Sequence, residues 1–223
     1  MQTNSITTSF FFWKYQRVEY IWRNWNNYID TGFVPKQATP FEVKIWYKIA
    51  TSWKRYWIFS NYWSIGWWAQ NWELSFEVNA WNNTSNKARF YVQTDISGMT
   101  QDLFSNNSLN TSSFNDLIFT NLWSWNSKVS VNWTTTSWSI YNTWTYANAS
   151  AYLFIDRALR WSTFSYNSFI SYCQIYENWT LIKDFVPAYR KSDNVIWLVE
   201  KVSKTFYTNK WSWTFSKWWN ISR

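Results

Sequence analysis

Glycine is almost absent from this chain of 223 residues, which contains 3 glycines, 3 prolines, 1 cysteine and no histidine. At the usual frequency of ~7%, a chain of this length would contain about 15 glycines. The lack of histidine excludes Ser-His-Asp and Cys-His nucleophilic centres, HExxH zinc sites and imidazole proton shuttles. A single cysteine, Cys173, excludes an intrachain disulfide. Its position in an alternating run predicts a small, buried hydrophobic side chain.

Long apolar runs and blocks of like charge are also missing. No stretch of about 18 apolar residues occurs, so no membrane span is expected. The net charge of +8 is spread thinly, in pairs such as Lys54 with Arg55 and Arg190 with Lys191. This distribution does not favour nucleic-acid binding, although it is compatible with weak attraction to acidic glycans or cell envelopes.

Tryptophan, in contrast, is abundant, with 23 residues. Asn-Trp occurs at Asn24-Trp25, Asn71-Trp72, Asn132-Trp133 and Asn178-Trp179. A two-residue hairpin turn of the favoured twist needs positive φ at both central residues, which Asn-Gly supplies and Asn-Trp does not. We hypothesise that many of these tryptophans are encoded by UGA and are glycines in the source organism. The alternative is a tryptophan-rich chain whose indoles fill the core or stack on sugars; UGG codons would favour it.

Alternating runs predict β-strands from end to end of the chain. Inward positions of these runs include Phe41, Val43, Ile45, Tyr47, Leu74, Phe76, Val78, Phe90, Val92, Val129, Val131, Tyr152 and Phe154. No segment of about ten residues has a helical period, and 113–122 could hold at most a short helix. Polar stretches at 82–86 and 105–113 predict surface loops. The pattern is typical of an all-β antiparallel sandwich or barrel rather than of βαβ units.

Carboxylate pairs are the remaining route to catalysis. Glu73 and Glu77 share one face of a predicted strand, but four residues separate them by about 13 Å. Glycosidase carboxyl groups lie about 5 to 9.5 Å apart, so we interpret this pair as a solvated face. A dyad assembled across strands stays open. No catalytic residue and no cofactor are assigned.

Two segments carry recognisable motifs. One runs from Tyr20 to Phe33 (YIWRNWNNYIDTGF), the other from Ile175 to Asp193 (IYENWTLIKDFVPAYRKSD). They resemble the opening strand pair and the closing hairpin of bacterial and phage laminin-G-like (concanavalin-A-like) jelly-roll domains. The motifs frame about residues 18–216, so the resemblance covers nearly the whole chain. The family has glycine at the positions of Trp25, Trp179, Trp197, Trp211 and Trp213, which together with Trp133 are the strongest candidates for recoding.

The resemblance implies an all-β, antiparallel two-sheet jelly-roll β-sandwich over residues 18–223, with 1–17 as a leader or poorly ordered segment. It also implies a non-catalytic adhesion module of a surface or phage-tail protein, which binds a glycan or cell-surface ligand. The location would be extracellular, on a cell surface or in a virion, and an oligomer is possible if the protein belongs to a virion. Binding is expected at loops or on the concave sheet face, without assignable residues.

Two alternatives stay open: a purely structural virion or surface decoration domain, and a polysaccharide-cleaving enzyme on the same fold.

Calcium is not expected at Asp30, because one carboxylate without neighbouring acids cannot complete a site of six to eight oxygens. We interpret Asp30 as a polar residue that ends a strand. Tyr189, Arg190, Lys191 and Asp193 are interpreted as the polar end of a hairpin.

Overall fold

The structure is a computed structural model. It describes residues 15–23, 28–36, 39–50, 55–64, 71–79, 86–94, 99–122, 127–138, 150–154, 168–208 and 215–220.

Every regular element within these residues is a β-strand. The strands are β1 (Tyr15–Arg23), β2 (Ile29–Asp30), β3 (Phe41–Ile49), β4 (Tyr56–Ser64), β5 (Asn71–Val78), β6 (Lys87–Thr94), β7 (Met99–Ser108), β8 (Asn115–Asn121), β9 (Ser127–Val131), β10 (Thr134–Trp138), β11 (Tyr152–Leu153), β12 (Ser168–Glu177), β13 (Thr180–Arg190), β14 (Ile196–Glu200), β15 (Thr205–Tyr207) and β16 (Ser216–Asn220).

The strands form two antiparallel sheets. The large sheet has the order β10-β9-β8-β3-β12-β1-β13-β14-β15, with β16 also paired to β1. The small sheet has the order β2-β11-β4-β5-β6-β7. The chain crosses repeatedly from one sheet to the other, and the result is a β-sandwich. The predicted all-β class with two antiparallel sheets is therefore confirmed.

The core lies between the sheets. In β3 the side chains of Val43, Ile45 and Tyr47 are fully buried and alternate with solvent-facing neighbours, as the sequence predicts. Phe76 of the small sheet stacks on Phe119 of the large sheet, with ring centroids 4.2 Å apart and an interplanar angle of 6°. Burial of each such side chain stabilises the fold by about 1.5–3 kcal/mol. The core therefore holds the outward faces of the two sheets in fixed positions.

Cys173 also belongs to this core. Its side chain is fully buried in β12, and burial raises the pKa of its thiol. The predicted role as a small hydrophobic residue is confirmed.

Two of the Asn-Trp pairs form the predicted hairpin turns. Asn132 and Trp133 connect β9 to β10 with φ of 49° and 70°, and Asn178 and Trp179 connect β12 to β13 with φ of 47° and 63°. Both central residues of each turn are therefore in the left-handed region, where Asn is tolerated and a bulky aromatic residue is strained. The indoles project into solvent, 83% exposed at Trp133 and 63% at Trp179.

The turn prediction is wrong at Asn71-Trp72. These residues begin β5, and the ladder pairs them with Ser64 and Trp63 of β4. Trp197 lies within β14, paired with Ala188, and has no positive φ, so turn geometry does not bear on it. Asn24-Trp25, Trp211 and Trp213 lie outside the described residues.

Two predictions for the polar middle of the chain also need correction. Residues 105–108 belong to the end of β7 rather than to a loop, whereas 109–113 lie outside the strands as predicted. Ser105 is buried, and its hydroxyl accepts from Ala88 N and donates to the Asn107 carbonyl. The segment 113–122 contains strand β8 and no helix. Leu117 and Phe119 are buried, but the outward Ile118 between them is also apolar, so the sequence shows no alternation of apolar and polar residues there. The predicted loop 82–86 is described only at Asn86.

At the N-terminal end, β1 begins at Tyr15, three residues before the boundary that the sequence predicts. Residues Tyr15 to Arg17 pair with β13. The division into 1–17 and 18–223 stays a prediction. None of the described residues forms a helix that is long and apolar enough to cross a membrane.

Candidate functional site

The outward face of the large sheet carries a continuous row of aromatic rings. We call it the aromatic row; its residues are Trp22, Phe169, Tyr20, Phe114, Trp46 and Tyr172. Centroid distances between successive rings are 5.9 Å for Trp22–Phe169, 5.3 Å for Phe169–Tyr20, 5.2 Å for Tyr20–Phe114, 5.7 Å for Phe114–Trp46 and 6.1 Å for Trp46–Tyr172. Trp46 is 45% exposed, and the other five rings are half-buried. The row is a surface, not part of the core.

Alternation in β3 places Trp46 on this face. Its neighbours on the same side are Glu42, Lys44 and Lys48, whereas the odd-numbered positions of the strand are buried. The indole therefore stands at a position where an antiparallel sheet with one solvated face usually has a polar residue. A large aromatic side chain at such a position is a candidate binding residue.

A β-bulge in β12 brings Tyr172 beside Trp46. The ladder between β12 and β3 shifts between Ile170 and Tyr172, so that Tyr172 is paired with Trp46. The intervening Ser171 is buried, and its hydroxyl donates to the Glu19 carbonyl at 2.6 Å. The bulge redirects a side chain, which is a common role of bulges near functional sites.

Polar groups lie along the aromatic row and are held by one another. The Tyr172 hydroxyl donates to Asp116 Oδ1 at 3.1 Å. On the same face the Tyr176 hydroxyl donates to Gln174 Oε1 at 3.1 Å, and Gln174 Nε2 donates to Asp184 Oδ1 at 3.3 Å. A carboxylate, an amide and hydroxyls are thus presented in fixed orientations next to the rings.

Two lysines contact rings on this face. Lys44 Nζ lies 4.8 Å from the ring centroid of Tyr176 and forms an ion pair with Glu42 at 3.1 Å. Lys48 Nζ lies 5.8 Å from the ring centroid of Phe169. The face therefore has both signs of charge, with Lys44 neutralised by its neighbour.

The local environment alters the ionisation of two tyrosines of the row. Burial, followed by the charge of Asp116 and the hydrogen bond to it, raises the pKa of Tyr172 to about 12. Burial and then the charge of Glu19 raise the pKa of Tyr20. A tyrosine with the ordinary pKa of 10.0 is already neutral at physiological pH, and these shifts keep both hydroxyls protonated to a higher pH.

A second polar group of residues lies on the outward face of the small sheet. We call it the charged cluster; it consists of Arg55, Ser75, Glu77, Arg89 and Asp102. Arg55 bonds both oxygens of Glu77 at 2.8 Å, and the Ser75 hydroxyl donates to the same carboxylate at 2.6 Å. Arg89 Nη1 lies 3.5 Å from Glu77 Oε2, and Arg89 also pairs with Asp102.

The interpretation of Glu77 as part of a solvated face is therefore wrong. Its side chain is fully buried. Ion pairs with Arg55 and Arg89 offset the free-energy cost of removing the carboxylate from water. Both oxygens of Glu77 already accept hydrogen bonds, so the carboxylate stabilises the sheet. The side chain of Glu73 lies outside the described part of the structure.

Asp30 is a polar residue at the end of a strand, as the sequence predicts, and its carboxylate also supports the turn that follows. It ends β2, and its Oδ1 accepts a hydrogen bond from Gly32 N at 3.0 Å. Gly32 has φ of 67°, which explains why the motif requires glycine there. The Thr31 hydroxyl donates to the Ala151 carbonyl at 2.7 Å and ties this turn to β11. Among the described residues, no group of three or more Asp, Glu or Cys side chains is arranged to hold a metal ion.

The second motif forms the predicted hairpin end. Tyr189 and Arg190 close β13, and Arg190 pairs with Asp193 in the turn before β14. Arg190 also lies over the ring of Trp197, 4.7 Å from its centroid. These contacts of Arg190 stabilise the hairpin.

Sequence reasoning did not identify the aromatic row. The available signal was that Trp46 interrupts the polar face of an otherwise regular alternation. Its partners could not be found in the same way, because they come from β1, β12 and the segment before β8, which are distant in the sequence.

No protein-family model matches the sequence, and no curated protein sequence matches it. Solved structures are similar in fold. A candidate carbohydrate-binding protein from Bacteroides ovatus superposes with a TM-score of 0.56 at 10% identity, over 92% of this chain and 62% of that protein. The chain thus spans less than two thirds of the length of that protein.

Two further structures match more weakly. The binding domain of botulinum neurotoxin DC, in complex with SialylT, has a TM-score of 0.42 at 14% identity, over 62% of this chain and 32% of that one. Scytalido-glutamic peptidase has a TM-score of 0.34 at 7% identity, over 78% of this chain and 92% of that one. Neither supports an argument about function. The similarity to the Bacteroides protein supports the β-sandwich fold.

Proposed function

We propose that the protein is a non-catalytic module that binds glycans through the aromatic row. The observation that carries this proposal is the position of Trp46, which is 45% exposed in the middle of a strand, between aromatic neighbours. Aromatic faces provide the apolar contact that the C–H faces of sugar rings need. The Asp116 carboxylate and the hydroxyl oxygens of Tyr172 and Tyr176 supply acceptors for sugar hydroxyl groups, because both tyrosine protons are already donated to Asp116 and Gln174.

The rigidity of this face favours binding. Trp46 and Tyr172 lie on paired strands rather than on loops, and the bulge at Ser171 is held by its hydrogen bond to β1. A preorganised surface loses little conformational entropy when a ligand is bound. The fold similarity to a candidate carbohydrate-binding protein is consistent with this use of a β-sandwich, although fold alone does not determine function.

Absence of catalysis is part of the proposal. The buried carboxylate of Glu77 is occupied by Arg55, Arg89 and Ser75, and it lies on the small sheet, whereas the aromatic row lies on the large sheet. A glycosidase would need two carboxyl groups about 5 to 9.5 Å apart on either side of a bound sugar. The setting that we propose is extracellular, in a laminin-G-like domain of a cell-surface or phage-tail protein.

We further propose that Trp133 and Trp179 are glycines in the protein of the source organism. Their φ values of 70° and 63° favour glycine over a bulky aromatic residue. Four of the six residues in the aromatic row are tyrosine or phenylalanine, which UGA recoding cannot change. The glycan-binding proposal therefore depends on recoding only at Trp22 and Trp46.

A glycan array with matched variants tests the function. We expect wild-type protein to bind a reproducible subset of glycans, and Trp46→Ala to reduce that binding by about tenfold or more. Trp138→Ala is the control, because Trp138 is 67% exposed on β10, outside the aromatic row. A Trp46→Gly variant establishes whether binding would survive recoding at that codon.

Each outcome discriminates between the functions considered. If the wild-type protein binds none of the envelope and host glycans on the array, a structural decoration domain is favoured. Equal loss in Trp46→Ala and Trp138→Ala would contradict binding at the aromatic row. Release of reducing sugar that is abolished by a single carboxylate-to-amide change would favour the polysaccharide-cleaving enzyme.

A further inference from the structure

Charged side chains of opposite sign lie near the two ends of the aromatic row, and the charge of Glu19 acts on Tyr20 between them. The carboxylate of Asp116 lies at one end and accepts the hydrogen bond from Tyr172. At the other end Lys48 follows Trp46 by two positions in β3, beside Phe169. Among the described residues, no carboxylate lies within ion-pairing distance of Lys48. Lys44 differs, because Glu42 neutralises it at 3.1 Å.

We propose that the aromatic row binds acidic glycans, with Lys48 contacting the carboxylate or sulfate group of a sugar whose ring stacks on Trp46. This inference rests on the glycan-binding function proposed above. Two residues of strand separate the Cα atoms of Trp46 and Lys48 by about 6.6 Å. A flexible lysine stem can cover the remaining distance to a substituent at the edge of a stacked ring.

The surroundings of Lys48 strengthen such a contact. The ammonium group lies against the Phe169 ring, and the neighbouring Tyr20 and Trp22 rings exclude part of the water from this end of the row. A charge pair next to apolar rings is stronger than one in open water. The overall charge of +8 would add a long-range attraction for polyanions, which salt screens.

Paired ligands that differ only in charge test the proposal. Polygalacturonate and its methyl ester form the carboxylate pair, and dextran sulfate and dextran form the sulfate pair. We expect wild-type protein to bind at least one acidic member about tenfold more tightly than its neutral partner in calorimetric titrations at low salt. The pair that shows the preference identifies the anionic group.

Matched variants assign the preference to one residue. Lys48→Gln should remove the preference for the acidic ligand and leave affinity for the neutral ligand unchanged. Lys191→Gln, which removes the same charge from the exposed β13–β14 turn, should retain the preference. Loss of affinity for both ligands in Lys48→Gln, or an equal effect of Lys191→Gln, would overturn the assignment.

The same experiment separates this inference from the function on which it rests. If wild-type protein binds neutral and acidic ligands equally, and Trp46→Ala weakens both, acidic recognition fails while glycan binding stands. If the acidic preference persists in Trp46→Ala, the aromatic row is not the glycan site and both proposals fail. If none of the four ligands binds, acidic recognition fails, and the glycan array decides the function.

Discussion

The hydroxyl of Tyr172 donates a hydrogen bond to Oδ1 of Asp116 across the strand that carries Trp46, with 3.1 Å between the two oxygens. Tyr172 belongs to β12 and Asp116 to β8, and the ladder pairs both of them with Trp46 in the intervening β3. The bond therefore fixes a hydroxyl oxygen and a carboxylate next to the most exposed ring of the aromatic row. Polar groups held in this way are already oriented before a ligand arrives.

The pKa of Tyr172 should depend on its hydrogen bond to Asp116. Its pKa is raised from 10.0 to about 12, with burial as the largest cause and the charge of Asp116 as the next. Because the folded state binds the proton more tightly, the contribution of Tyr172 to stability is complete below pH 10.0 and is lost as the pH rises towards 12. In Asp116→Asn the pKa should fall but stay above 10.0, because burial is retained. NMR of the tyrosine ring carbons across the alkaline range measures it, and an ordinary pKa in the wild type would contradict the structure.

Removal of the Glu77 carboxylate should destabilise the fold strongly. In Glu77→Gln, Arg55 loses the anionic partner that it bonds at 2.8 Å, and breaking a buried pair typically costs about 3 to 5 kcal/mol. Glu177→Gln is the control, because Glu177 pairs with Lys36, a residue whose side chain is 64% exposed. Its cost should stay below about 1 kcal/mol. Urea unfolding measures both, and a similar free energy of unfolding for the two variants would refute a stabilising role of the charged cluster.

Cys173 should be chemically inert in the folded protein. Its side chain is fully buried, and burial raises the pKa of the thiol, so little thiolate is available to react. We expect dithionitrobenzoate to modify Cys173 only when urea unfolds the chain, at a rate that follows the unfolding curve. Rapid reaction in native buffer would mean that β12 opens locally.

The sequence predicts best those strands that have one buried and one solvated face. In β3 and β12 the alternation is clear, and the positions of Val43, Ile45 and Cys173 in the core are confirmed. The prediction fails where this alternation is disguised. Ile118 puts an apolar side chain on the outward face of β8, and the polar end of β7 has the composition of a loop.

The candidate site could not be predicted, because its geometry depends on which strands become neighbours. Phe114 and Tyr20 are far apart in the sequence, yet their rings lie 5.2 Å apart across the large sheet. Tyr172 is paired with Trp46 only because a bulge shifts the register at Ser171. Similarly, the periodicity of β5 places Glu77 on an outward face but does not predict that Arg55 and Arg89 form ion pairs with it and that its side chain is buried.

Recoding, if it occurs, must be visible in the mass of the natural protein. The sequence as written has a mass of 27.3 kDa. Replacement of roughly fifteen tryptophans by glycine, at about 129 Da each, would lower it by about 2 kDa and restore an ordinary glycine content. Intact mass spectrometry of protein from the native source decides the matter, and a mass that agrees with the written sequence would eliminate the hypothesis.

The backbone conformation at the two Asn-Trp turns predicts that glycine is more stable than tryptophan there, which recombinant protein can test. Trp133 and Trp179 have φ of 70° and 63°, where a side chain with a Cβ is strained, so Trp133→Gly and Trp179→Gly should each stabilise the fold by about 1 kcal/mol. Trp138→Gly is the matched control, because this indole is also largely exposed but lies in strand β10, where glycine should destabilise by about 0.5 to 1 kcal/mol. Thermal and urea unfolding should therefore shift in opposite directions for turn and strand variants. If all three substitutions destabilise the protein, the two turns are not strained by tryptophan, and the structural argument for glycine at these positions is lost.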